Sequence, residues 1–218
     1  MERIIMRKIL YTNAQLISNM GDGMQQIALY WYIYTLTGSP LSIGIMIAIY
    51  YLPSMGLSPF AGALSDLIHP KRLTIIVNFF RGIAVLILAL VIWFEVSSLY
   101  LLYLFQWIMA ILYTIYKPAS QRFIKHSFYR KEIPSIMALS NSLEQVGYIL
   151  GTGLAGYLIT ILPVSITIGL NGISFVLTGL LFRYISLVAN PEKTINHHTY
   201  RSMIAEGIQY IKSKPDLK

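Results

Sequence analysis

Apolar residues in this chain gather into six long blocks, separated by turns that alternate between neutral and basic. A helix needs about 20 apolar residues, rising 1.5 Å each, to cross roughly 30 Å of hydrocarbon. Six segments approach or exceed that length: Ile9 to Leu36, Leu41 to Leu64, Leu73 to Phe94, Tyr100 to Tyr116, Ile136 to Leu162 and Ile166 to Val188. The pattern predicts an all-α membrane protein with six transmembrane helices. Arg3, Arg7 and Lys8 precede the first block much as charges precede a signal peptide. That block runs well past the roughly 7 to 15 residues of a signal core and meets no small-residue cleavage site, so it reads as a retained span.

The turns orient the spans. Thr37-Gly38-Ser39-Pro40, Glu95 to Leu99 and Pro163-Val164-Ser165 carry no Lys or Arg. The intervening connections hold Lys71 and Arg72, then Arg122, Lys125, Arg130 and Lys131, then Lys193, Arg201, Lys212, Lys214 and Lys218. Translocating a short basic loop is disfavoured, so this asymmetry predicts that these loops and both termini are cytoplasmic in a multi-pass protein of the cell membrane.

Composition agrees with lipid as the solvent. Hydrophobic residues make up 56% of the 218 and charged residues 12%, with a mean hydropathy of +0.60; a soluble domain carries about 25% charged residues. Too little polar surface exists to cover such a core in water, whereas a bilayer accepts apolar side chains facing outward. The net charge of +8 resides largely in the inner loops, where it meets anionic headgroups, and no nucleic-acid partner is expected. The absence of cysteine excludes disulfides and thiolate metal sites.

Two regions follow: a six-helix bundle over residues 1–189 and a polar linker over 190–218. Within the linker, Met203, Ile204, Ile208 and Ile211 recur at helical spacing opposite Arg201, Glu206 and Lys212, predicting a short amphipathic helix on the membrane surface. Six spans followed by a connector carry the expectation that this is one half of a larger protein.

The second loop, Gly62-Ala63-Leu64-Ser65-Asp66-Leu67-Ile68-His69-Pro70-Lys71-Arg72-Leu73, resembles the major facilitator loop signature G-x-L-x-D-x-x-G-R-[KR]. Gly62, Asp66 and the basic pair Lys71 and Arg72 fit; His69 and Pro70 stand where the family has Gly and Arg. Ser18 to Gly23, Pro118-Ala119-Ser120-Gln121-Arg122, Asn171 to Phe175, and Glu206 to Tyr210 with Pro215 to Lys218 are similar to stretches of its macrolide-efflux and siderophore-export branch. The resemblance implies a twelve-helix drug:proton antiporter type, of which this chain is the N-terminal half, with small-molecule substrate held between two rocking bundles. The partner is then a C-terminal six-helix half or a second copy of the chain.

Asp22 carries the chemistry most plainly. It stands about 13 residues into the first span, roughly 20 Å deep, and its side chain is too short to reach either surface. A carboxylate there is costly unless paired, hydrated or protonated, so it marks a proton or cation site or, in the structural alternative, a bond to a neighbouring helix. Asn13, Gln15, Asn19, Gln25 and Gln26 make the same span too polar to face lipid, so it lines a pathway or bonds its neighbours. Gln106 in the fourth span is a further lining candidate. Glu144 and Arg81 lie at similar depth, Lys117 closes the fourth span, and these are expected to neutralise one another as a structural or gating ion pair. The resemblance implies that the third span, with Arg81, is peripheral to substrate.

Gly147, Gly151, Gly153 and Gly156 give the fifth span a small-residue pattern that permits close helix packing. It resembles the antiporter signature of that helix, with Thr152 where the signature has Pro. The resemblance implies that Asp66 caps a helix of the other half; Arg122 or Lys71 could hold it locally instead. His197-His198 lack a third ligand, and neither metal nor cofactor is expected. A membrane enzyme is disfavoured, since no H-E-x-x-H, Walker or G-x-S-x-G motif occurs. The remaining alternative is a truncated or split-gene fragment, inactive alone or acting as an accessory membrane subunit.

Overall fold

The computed structural model describes residues 2–188, and its regular structure is entirely helical: α1 Glu2–Thr37, α2 Pro40–Leu67, α3 Pro70–Trp93, α4 Leu99–Ser127, α5 Ile133–Ile161 and α6 Val164–Tyr184. Proline stands in the first two positions of α2, α3 and α5, where its fixed φ suits a helix and its missing N–H is not needed. Ser98 begins α4 by accepting from Leu101 N. Gly38, at φ 62°, ends α1 in the left-handed conformation that a side chain would strain.

Four helices, α2, α3, α4 and α6, are long and apolar enough to cross a membrane. Polarity sets α1 and α5 apart. Two expected boundaries move substantially: α1 starts at Glu2 rather than Ile9, and α4 continues through Pro118 to Ser127 rather than ending at Tyr116. An apolar run measures the hydrocarbon crossed, whereas a helix can extend into the headgroup layer. Thr152, at the signature's proline position, leaves α5 unbroken. The amphipathic helix expected over Thr199 to Lys212, the rest of 190–218 and His197-His198 lie outside the described residues.

Helix α3 shows how the bundle is built. Ile76, Phe80, Ile83, Ile87 and Leu90 are exposed along one stripe, while Thr74, Asn78, Arg81, Val85 and Leu88 are buried along the opposite one. Apolar out and partly polar in is the arrangement lipid selects. The helices pack in the order α5, α1, α6, α3, α4, α2, with α1 held by α5 and α6 and α2 resting chiefly on α4. Glycines permit the closest approaches. A Cβ on Gly147 would lie 2.8 Å from Asn19 Cβ, and one on Gly151 would lie 2.0 Å from the Met20 carbonyl oxygen, both on α1. Gly153 and Gly156 correct the expectation of a four-glycine interface, since a Cβ there meets nothing within 4 Å among the described residues.

The basic turns gather at one end. There Arg7 donates to the Ser127 carbonyl at 3.1 Å and Lys71 Nζ donates to the carbonyls of Arg183 and Ile185 at 2.8 Å each. Lys8 pairs with Glu132 at 2.8 Å, and that hydrogen bond holds the Glu132 carboxyl below its ordinary value. A depressed carboxyl contributes stability above its unfolded pKa and loses it as pH falls through the folded one. Lys8→Ala is therefore expected to flatten the acid limb of the melting temperature below about pH 5. Thermal unfolding across that range measures it, and an unchanged acid limb would remove the pair from the account.

Candidate functional site

Two apolar clusters occupy the two ends of the bundle. One contains Leu29, Ile33, Leu88, Leu102 and Phe175; the other, at the basic end, packs Tyr11 flat on Phe182 and edge-on to Phe128, with Phe123 tilted against Phe182. Between them lies a cavity of about 280 Å³. Its walls come from Asn19, Asp22, Gln25 and Gln26 of α1, Tyr50 and Tyr51 of α2, Arg81 of α3, Gln106 and Tyr113 of α4, and Glu144, Gln145 and Tyr148 of α5.

The centre of this site is the ion pair of Asp22 with Arg81. Arg81 Nη2 lies 3.0 Å from both carboxylate oxygens. The Arg81 side chain is 3% exposed and that of Asp22 25%, so both line the cavity but the anion is much the more open of the two. The guanidinium carbon sits 3.9 Å from the Phe175 ring centroid, 5.1 Å from that of Tyr116 and 5.7 Å from that of Tyr113. The negative faces of these rings help keep the cation charged where water is scarce. A single guanidinium nitrogen holds both oxygens, which leaves the carboxylate reachable by a proton or a cation from the cavity.

A second pair borders the first. Glu144 accepts from Lys117 Nζ at 2.5 Å and from the Tyr113 hydroxyl at 2.8 Å. This corrects the expected Arg81–Glu144–Lys117 group: Lys117 neutralises Glu144, while Arg81 turns to Asp22. It also corrects the peripheral position implied for Arg81, which lines the cavity. The face of α3 that bears Arg81 points inward between α4 and α6, and the Asp22 carboxylate closes that gap.

The amides of α1 divide into two uses. Gln15 bonds helices together, donating to Ser140 Oγ and accepting from the Tyr116 hydroxyl; Gln25 does likewise, accepting from Asn171 Nδ2 at 2.7 Å. Gln26 faces the cavity within a chain in which Tyr148 donates to it and it donates to Tyr30. Asn13 is exposed, and Asn19 donates to the Gln15 carbonyl. Trp31 and Trp107 are half exposed on the outer surface.

At the basic end the loop motif closes locally. Arg122 pairs with Asp66 at 3.4 Å and also donates to the Ser65 carbonyl. Lys71, the other candidate partner, instead caps α6. Arg72 is exposed, and a Cβ on Gly62 would meet nothing within 4 Å among the described residues.

Tyr50, Tyr51, Tyr113, Tyr148 and Gln145 escaped the sequence reading; a tyrosine is equally at home at a membrane interface. Arg81 carried a legible signal: Thr74, Asn78 and Arg81 at i, i+4 and i+7 mark one polar stripe in an otherwise apolar helix.

A search of curated proteins finds no match to this chain. The family model described as Major Facilitator Superfamily matches residues 12–217, and the six-helix bundle around a polar cavity agrees with it: the chain belongs to the major facilitator superfamily of multi-pass membrane transporters.

Proposed function

We propose that this chain crosses the cell membrane six times, α1 and α5 included, with both termini cytoplasmic, and exports drugs or other small molecules in exchange for protons by alternating access. At 36 and 29 residues, α1 and α5 are long enough to span about 30 Å of hydrocarbon. Gln15, Ser18, Asp22, Gln25 and Gln26 of α1 and Ser140, Glu144 and Gln145 of α5 face the cavity or other helices. The basic turns, gathered at one end, take the inner face by the positive-inside rule. Residues 1–189 form one bundle and 190–218 its linker. The cavity between α1, α2, α4 and α5 is one wall of the path, and a second bundle, from a C-terminal half or another copy, supplies the other. The macrolide-efflux and siderophore-export branch is the closest reading of the motifs.

The observation that carries this reading is Asp22, an acid midway along α1 that faces a cavity and is held by one buried arginine. A proton arriving from the cavity neutralises the acid and breaks the pair, which links proton occupancy to the packing of α1 against α3. Asp22, with Asn19, Gln26, Gln106 and Glu144 around it, forms the proton and substrate pathway. Gln25, which also lines the cavity, belongs to this pathway and is tied to Asn171 of α6.

In reconstituted vesicles under an imposed pH gradient, Asp22→Asn is expected to abolish proton-driven efflux of a fluorescent drug while the protein remains folded. Unchanged efflux with an unchanged pH dependence would reject the coupling role. Efflux that requires a co-expressed second bundle would identify the chain as an accessory half.

A further inference from the structure

Three buried polar atoms on α3 have no hydrogen-bond partner among the described residues: Thr74 Oγ1, Asn78 Oδ1 and Arg81 Nε. They occupy one stripe of the helix over successive turns. Thr74 and Asn78 are 0% exposed and Arg81 is 2%. Orphaned polar atoms are expensive at such depth, so their alignment calls for a physical reason. The middle and upper members are complementary: Arg81 Nε is a donor without an acceptor, and Asn78 Oδ1 is an acceptor without a donor.

The orientation of the Asn78 amide is fixed. Its Nδ2 donates to the Thr74 carbonyl at 3.0 Å; flipping the amide would set two acceptors against each other, so the oxygen is the free end. Residues three apart on a helix are surface neighbours. Long helical side chains also lean toward the preceding turn, which lays the stem of Arg81 over the turn that carries Asn78. In this structure the guanidinium extends past that turn to Asp22.

We propose that Arg81 has a second docking position on its own helix: when the Asp22 carboxyl is neutralised, Arg81 Nε donates to Asn78 Oδ1, making Asn78 the positioning residue that sets how readily the ion pair opens. This rests on the reading of Asp22 as the coupling carboxylate. The proton that neutralises Asp22 stays on its carboxyl, and Arg81 keeps its charge in both positions. The other titratable groups facing the pair are Tyr50 of α2, Tyr113 and Tyr116 of α4, and Glu144 of α5. From α6 the pair meets Phe175 and Asn171, neither of which titrates. Glu144 is already held by Lys117, so Asn78 is the buried neutral acceptor within reach along α3.

The test needs no transport. The whole chain in lipid nanodiscs, with ¹⁵N-arginine, reports the Arg81 Nε resonance, assigned by its loss in Arg81→Lys. The infrared carboxylic-acid band that disappears in Asp22→Asn reports protonation of Asp22. As pH falls, the Nε resonance of the wild type is expected to shift in step with that band, and Asp22→Asn is expected to hold the shifted position at every pH. Asn78→Leu removes the acceptor: the Nε shift is lost and the midpoint of the Asp22 band moves to more acidic pH by about one unit, tenfold in proton affinity. Asn78→Asp strengthens the acceptor, keeps the Nε shift and moves the midpoint about one unit the other way.

A purely structural role for Asn78 would not abolish the Nε shift in Asn78→Leu while leaving it in Asn78→Asp. The proposal is overturned if the Asp22→Asn resonance coincides with that of the ionised wild type, or if both Asn78 variants shift the midpoint the same way. Should Asn78→Leu not fold, Asn78→Asp and Asp22→Asn still decide it. An intact Nε switch without proton-driven efflux would reject the coupling reading and leave the second docking position standing.

Discussion

Gly151→Leu is expected to separate α5 from α1 and to lower the stability of the bundle by about 3 kcal/mol, the upper range for forcing extra atoms into a packed contact. The Cβ alone would stand 2.0 Å from the Met20 carbonyl oxygen. Backbone cannot swing aside as a side chain does, so the two helices must part. Asp22 lies two residues beyond Met20, and displacing α1 there also pulls the carboxylate from Arg81. Thermal unfolding in detergent measures the loss. Gly153→Leu is the control, because its Cβ meets nothing within 4 Å among the described residues, and it should melt within about 0.5 kcal/mol of the wild type. Equal melting of the two variants would dismiss the close α1–α5 approach.

The second large effect is expected at the ion pair. Arg81→Ala leaves Asp22 without its compensating cation, at a cost of about 3 kcal/mol, the low end for a broken buried pair because Asp22 keeps access to the cavity. Asp22→Asn leaves the more deeply buried charge of Arg81 without its carboxylate. Combining Asp22→Asn with Arg81→Ala removes both charges and should cost less than the two single changes together, with an interaction of about 1–3 kcal/mol. A double-mutant cycle by thermal unfolding at neutral pH reads that coupling. Additivity within about 0.5 kcal/mol would mean that the two groups are merely adjacent.

Much of the architecture was legible because it follows from solvation. Basic loops and apolar blocks alternate along the chain, and the structure brings Arg7, Lys8, Lys71 and Arg122 together at one end through their contacts. Helix ends were less legible, since nothing apolar marks where α4 stops once it has left the hydrocarbon. Asp22 could be singled out from the cost of its depth alone. Its partner could not, because pairing depends on which faces of α1 and α3 meet, and those faces are set by close approaches such as Gly21 on Asn171 and Gly82 on Gly172. The division among the glycines of α5 was within reach. At 3.6 residues per turn, Gly151 falls near Gly147 on the helix circumference, whereas Gly153 and Gly156 lie roughly on the far side.

The walls of the cavity are unequally fastened. α1 is gripped by α5 and α6, so Asp22 is carried on a stiff post. α2 leans mainly on α4 and contacts α1 and α3 only slightly, and it is interrupted by Pro53 and Pro59 just beyond Tyr50 and Tyr51. Each proline deprives the carbonyl four residues earlier of its helical donor and weakens the rod at that point. The tyrosine-bearing wall is therefore the compliant one. A change in the width of the chamber would fall chiefly on α2, while the charged pair at its back, carried by α1 and α3, keeps its spacing.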